Sequence, residues 1–169
     1  GTRIDLGLED AEVLVARAEP GRDQHYFDNL MNKRMALFNG YHYGFAGFNN
    51  DPKWLEQNFN AVLTYSHESN IRLLLLGRVD MAPITRSWLG ARLREQPQLR
   101  EQLLVSDLED QRYRHYAILS PQAPISAEDL RNTLQLLRDN GEMKRIFAPY
   151  GIDVRPNVAG SSATASASD

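Results

Sequence analysis

The sequence predicts an α/β fold with a mainly parallel sheet flanked by helices. Short apolar runs alternate with helical repeats over the first hundred-odd residues, and this alternation is the pattern of strand–helix–strand units. Proline, glycine and asparagine punctuate the junctions between them. Hydrophobic residues make up 42% and charged residues 24% of the chain, so a core can be buried without help from metals or disulfides. With 169 residues there is room for one ordinary domain or two small lobes.

The elements follow in order. Ile4, Leu6 and Leu8 alternate as in a strand, and Glu12–Arg17 reads as a second strand ending at Pro20-Gly21. Phe27, Leu30 and Met31 recur at helical spacing and predict a short helix ending near Asn32. Arg34–Phe38 is the next strand, stopped by Asn39-Gly40. Asp51 before Pro52 is a helix start, with Trp54, Leu55 and Phe59 as the buried face. Ala61–Tyr65 is a strand, after which Ser66 to Ser69 offer caps for a helix carrying Ile71, Leu74 and Leu75 and closed by Gly77. Val79–Pro83 is a strand, and Ser87–Gln102 is helical with a break at Pro97. Leu103–Val105 and Tyr113–Leu119 are two further strands. Ser126 with Asp129 resembles a capping box and opens a helix with a Leu130–Leu134–Leu137 stripe, ended by Asn140-Gly141. A last helix carries Met143, Ile146 and Phe147 and stops at Tyr150-Gly151. From Pro156 the tail is small and polar, with no face to bury, and is expected to be disordered.

Composition removes several function classes. No cysteine is present, which excludes disulfides, thiolate metal sites and cysteine nucleophiles. A net charge of -3 provides no basic field for a nucleic-acid backbone, so no nucleic-acid partner is expected. The longest apolar run, Leu73–Leu76, is far too short to cross a bilayer. His25, His42, His67 and His115 show no metal-ligand spacing, and the P-loop, nucleophile elbow, zincin and dinucleotide motifs are all missing. No cofactor, no metal and no catalytic residue are therefore assigned.

Ligands of open α/β sheets bind beyond the carboxyl ends of strands. Two places qualify. One is the loop Gly40-Tyr41-His42-Tyr43-Gly44, with glycines for close approach, aromatic faces and hydroxyls, and amides that can hold a carboxylate if a helix starts there. The other follows Val79–Ala82, where Thr85 lies and Arg86 can grip an anion in bidentate fashion. Ser66 stands at a third strand-to-helix junction, where capping is its expected task, and its neighbours His67 and Glu68 do not face each other on a helix. Arg78 and Asp80 are expected to pair locally. In Asp110–Tyr116, alternation places Tyr113 and His115 on one face and Arg114 and Tyr116 on the other.

Three motifs in order resemble one family. Lys33–Gly40 is similar to a strand and ligand loop, Leu74–Ala82 to a helix–strand unit, and Gly141–Phe147 with Tyr150-Gly151 to a C-terminal helix, all of the polar-amino-acid solute-binding proteins among the type 2 periplasmic binding proteins. The resemblance covers most of residues 11–152. It implies two α/β lobes around a cleft that closes on a ligand. It makes residues 1–10 a remnant of lobe 1, 11–120 a central α/β lobe and 121–155 helices returning to lobe 1, with 156–169 as the tail. Most of the N-terminal sheet of lobe 1 falls outside this sequence, as does the family's arginine for an α-carboxylate. Its acid for an α-ammonium aligns with Thr85, which is not acidic.

The resemblance implies a periplasmic solute-binding protein or sensory domain for a small polar molecule, amino-acid-like or a carboxylate, binding without catalysis. Its partner is a membrane transporter or sensor. The expected ligand contacts are Tyr41, His42, Tyr43, Ser66, Thr85 and Arg86. One alternative is a dehydratase-like enzyme on this fold, with His42 and Glu68 as its acid–base pair. Another is a lobe used for protein contact, in which Leu130, Leu134, Leu137 and Phe147 pair with a second copy.

Overall fold

A computed structural model of the chain describes residues 1–156; the expected tail from 157 onward lies outside the described residues. The strands are β1 (Thr2–Arg17), β2 (Met35–Phe38), β3 (Ala61–Thr64), β4 (Ala82–Thr85), β5 (Leu103–Leu119) and β6 (Asp153–Val154). The helices are α1 (Pro52–Phe59), α2 (His67–Leu75), α3 (Arg86–Glu95), α4 (Leu99–Gln102), α5 (Ala127–Asp139) and α6 (Glu142–Phe147). The chain divides into two compact units. Unit 2 is Asp10–Tyr113, and unit 1 is Gly1–Glu9 together with the chain from Arg114 onward. Residues 114–120, read from the sequence as part of the central lobe, thus fall in unit 1.

Two of the expected strand boundaries are absent. The runs at Ile4–Leu8 and Glu12–Arg17 are one continuous strand of 16 residues, and Leu103–Val105 and Tyr113–Leu119 are one strand of 17. Ladder pairing carries the backbone through the polar residues between the apolar runs. The helix expected at Phe27–Met31 is only a 3-10 turn, Gln24–Phe27, capped by Asp23; Met31 is 69% exposed and adds no apolar face to extend it.

In unit 2, β2 and β3 pair in parallel, as the strand–helix–strand alternation predicts. β1 belongs to a separate sheet of order β4-β1-β5, with β6 also on β1, and it pairs antiparallel with both β4 and β6. The register sets Val13 opposite Ile84 and Val15 opposite Ala82, and between them Leu14 opposite Pro83 and Glu12 opposite Thr85. Successive side chains of a strand point to opposite faces. Val13 and Val15 accordingly join a core with Ile71, Leu74, Ile84, Leu89 and Leu103. Leu14 joins a second core with Met35, Leu37, Tyr43, Leu55 and Met81. Glu12, two residues from Leu14, shares the face of that second core.

Helix ends follow local chemistry. Asp51 caps α1 through its carboxylate on the Trp54 amide at 2.7 Å, and Ser66 caps α2 through its hydroxyl on the Ser69 amide at 3.1 Å. Gly77, at φ 66°, ends α2 in the left-handed region that glycine adopts without strain. Pro97 separates α3 from α4. Asp80 does not pair with Arg78; its carboxylate accepts the Arg34 amide at 2.7 Å and fixes the entry to β2.

In unit 1, α5 starts at Ser126, whose hydroxyl accepts the Asp129 amide at 3.0 Å and donates to the Asp129 carboxylate at 2.7 Å. The Leu130–Leu134–Leu137 stripe is half-buried, as is Phe147. β6 pairs antiparallel with the first half of β1.

Candidate functional site

Unit 2 gathers its unusual side chains around Glu12 of β1, Thr85 at the end of β4 and Tyr113 of β5. Glu12 is 1% exposed. Directly across the ladder, the Thr85 hydroxyl donates to Glu12 Oε1 at 2.7 Å, and the Tyr113 hydroxyl of β5 donates to the same oxygen at 3.2 Å. Glu12 Oε2 is buried without a hydrogen-bond partner. Burial pushes the Glu12 carboxyl up to about 7; the two hydroxyls oppose this, and the charges of Asp10 and Asp110 add to it.

His67, the first residue of α2, extends this chain of contacts. Its Nε2 lies 2.9 Å from Thr85 Oγ1. Because that hydroxyl gives its proton to Glu12, it accepts from His67, which assigns the proton to Nε2. His67 Nδ1 is buried without a partner. Burial lowers the imidazole to about 4, so the ring is neutral. Phe38, Tyr41 and Trp88 surround it, with ring centroids 5.4, 5.9 and 5.3 Å away. Tyr41 also stacks on Phe38 at 4.4 Å. Burial, and then the charge on Glu12, raise the Tyr41 and Tyr113 hydroxyls above the ordinary tyrosine value.

Thr85 occupies the N-cap position of α3, yet its side chain turns to Glu12 and leaves the helix uncapped. Asp10 supplies the missing acceptor. Its carboxylate takes the Ser87 amide at 3.2 Å and the Ala11 amide at 2.8 Å. Asp10 and Glu12 are two apart on a strand and share a face.

The loop after β2 is closed by the chain itself. Both oxygens of Asp110 accept backbone amides, Gly44 N and Phe45 N, each at 2.7 Å. A Cβ on Gly44 would lie 2.5 Å from the Asp110 carbonyl oxygen, so only glycine permits this approach. Gln111 Nε2 donates to the His42 carbonyl at 2.6 Å.

Of the residues chosen from the sequence, Tyr41 and Thr85 meet at this place, both partly exposed. Tyr43 is fully buried, and its hydroxyl accepts the Phe38 amide at 3.0 Å, so it is part of the core. His42 is exposed and contributes its carbonyl. Ser66 is an N-cap. Arg86 forms an ion pair with Glu109 at 2.8 Å. The proposed His42–Glu68 pair does not form; Glu68 binds Arg92. Sequence reading missed Glu12, Asp10, His67 and Asp110 as members of the site. The available signal was a pair of acids, Asp10 and Glu12, directly before the apolar run Val13–Ala16.

Among the described residues no cluster of metal-binding side chains occurs, and no helix is long and apolar enough to cross a membrane. No protein-family model matches this sequence, and no curated protein matches it either. Solved structures do match. AbpA, an amino acid ABC transporter substrate-binding protein from Streptococcus pneumoniae bound to L-arginine, is 17% identical with a TM-score of 0.63, over 89% of this chain and 61% of its own. The GluR0 ligand-binding core from Nostoc punctiforme in complex with L-glutamate is 14% identical with a TM-score of 0.61, over 86% and 62%. A histidine kinase sensor domain with similarity to periplasmic binding proteins is 18% identical with a TM-score of 0.61, over 89% and 63%. The chain thus spans about three-fifths of the length of each of these structures. At these identities the likeness concerns architecture, and the chain has the fold of the type 2 periplasmic binding proteins.

Proposed function

We propose that this chain is the ligand-binding part of an extracytoplasmic solute-binding protein or sensor, taking a small polar molecule without catalysis. The observation that carries this reading is Glu12, an acid buried at the carboxyl end of β4 beside the half-exposed Tyr41, Thr85 and Tyr113, with one oxygen unpartnered. Polar groups buried without partners are rare and costly, and they collect where a ligand completes the bonding. The position beyond a strand end supports the same reading. Tyr41 and Thr85 are the contacts retained from the sequence, with Glu12 and Tyr113 added. His42, Ser66 and Arg86 stand further out, and Tyr43 supports the loop from below. In this reading a membrane transporter or a signalling domain receives the liganded state.

Thermal unfolding of the full chain against a panel of neutral, anionic and cationic small molecules tests the proposal. A ligand present at one hundred times its Kd adds about 2.7 kcal/mol to stability. At least one compound is expected to raise the Tm, and Thr85→Val is expected to abolish the rise. A folded protein whose Tm no compound moves would overturn the reading.

A further inference from the structure

We infer that this face of unit 2 takes a small ammonium or guanidinium compound that lacks a carboxylate, its cation held by Glu12 and the rings around Thr85. The inference rests on the ligand-binding reading above and narrows its ligand class.

The loop amides that would receive a carboxylate are already filled. Asp110 holds the Gly44 and Phe45 amides with both of its oxygens, and Gln111 ties the adjoining His42 carbonyl to the same strand. A ligand carboxylate would have to displace an internal one that bears the same charge and binds without loss of translational freedom. Arg86, the guanidinium beside Thr85, is held away by Glu109, a carboxylate it shares with Arg112.

The place for a cation is open in the chemical sense. Glu12 receives two neutral hydroxyls on Oε1 and nothing on Oε2, and among the described residues no ammonium or guanidinium pairs with it. Removing an acid from water without a counter-charge is expensive, and an incoming cation supplies that charge. Tyr41 and Phe38, partly exposed and stacked on each other, add an aromatic surface suited to a cation, and the neighbouring Trp88 ring already has the Arg92 guanidinium over it.

The groups that act on Glu12 are few. Asp10 lies on its own strand, Asp110 and Tyr113 on β5, His67 on α2, and Tyr41 and Tyr43 on the loop after β2. None of these is a cation at neutral pH. Burial keeps Glu12 protonated up to about pH 7, so a cation bound below that pH expels a proton. Affinity then rises about tenfold per pH unit until Glu12 is ionised, and levels off above.

The experiment is calorimetry of the full chain with matched pairs that differ by the carboxylate: cadaverine against L-lysine, and agmatine against L-arginine, with succinate as the anion. Two buffers of different ionisation enthalpy count the protons released. The amines are expected to bind at least about tenfold more tightly than their amino acids, releasing protons below pH 7. Glu12→Gln is expected to lose the proton release and most of the amine affinity while keeping the circular dichroism of the folded chain. Tighter binding of L-lysine, L-arginine or succinate than of either amine would overturn the inference and leave the ligand-binding reading standing. Amine binding unchanged in Glu12→Gln would do the same. No heat from any of the five compounds would overturn the inference, while the ligand-binding reading falls only if the wider panel above also fails to move the Tm.

Discussion

Asp5 and Glu12 stand on the same strand, one in unit 1 and one in unit 2, and their surroundings treat a carboxyl group in opposite ways. Around Asp5, Arg155 reaches both carboxylate oxygens, and the Gly7 amide donates at 2.8 Å. Arg155 and Arg114 also approach Glu9, at 3.2 and 3.4 Å. Burial alone would push the Asp5 carboxyl up, but Arg155, the Gly7 amide and Arg114 together bring it below the ordinary carboxylate value. Around Glu12 burial is deeper and the donors are neutral hydroxyls, so the carboxyl rises. Burial raises both acids, and more so Glu12; cationic donors reverse that rise at Asp5, whereas neutral hydroxyls at Glu12 do not.

The largest expected effects test the Glu12 side. Between pH about 4.5 and about 7, folded Glu12 holds a proton that the unfolded chain has lost, so stability falls as pH rises through this window. Between pH about 6.5 and about 4, unfolded His67 holds a proton that the folded ring refuses, so stability falls as pH drops. Each slope amounts to about 3 kcal/mol over its window, and where they overlap they cancel. The native chain is therefore expected to show nearly flat stability between pH about 4.5 and about 6.5 from this pair. His67→Gln exposes the falling slope with rising pH, and Glu12→Gln exposes the opposite one. Urea denaturation across a pH series reads both.

The Asp5 side is tested by Arg155→Ala, which strands a half-buried carboxylate and is expected to cost about 2 kcal/mol near neutral pH. The loss belongs to the ionised acid. It is present above the unfolded carboxylate value and fades as pH falls through the lowered folded one. Next comes Gly44→Ala, which forces a methyl group against the Asp110 carbonyl; a loss of about 1–2 kcal/mol in chemical denaturation is expected. The smallest effect is Ser126→Ala, which removes the cap of α5 at a cost of about 1 kcal/mol.

What could be read from the sequence follows the range of the interactions. The caps Asp51, Ser66 and Ser126, and the stop at Gly77, act within a few residues and were visible in the order of the letters. The strand–loop junctions at Tyr41 and Thr85 were legible as strand ends. Glu12 was not, because an acid in a strand reads as a solvent-facing position until the register reveals Thr85 opposite it. Asp110 was not, because it holds amides 65 and 66 residues away in the chain. β1 and β5 each look like two strands in the sequence, because continuity across their polar middles comes from pairing with distant segments. Tyr43 was misjudged for a related reason: a tyrosine in a polar loop looks available, and only packing shows that the core has claimed it.

The start of α3 carries a consequence for the order in which the molecule assembles. The Ser87 amide in its first turn is satisfied by Asp10, 77 residues earlier, rather than by a neighbour. A short helix without a local cap is marginal by itself. α3 can thus become secure only after β1 and β4 have zipped together, whereas α5 brings its own serine and can form early. Peptides spanning the two helices should differ in helicity for that reason, and the closure of a long loop, rather than helix propensity, should pace the folding of unit 2.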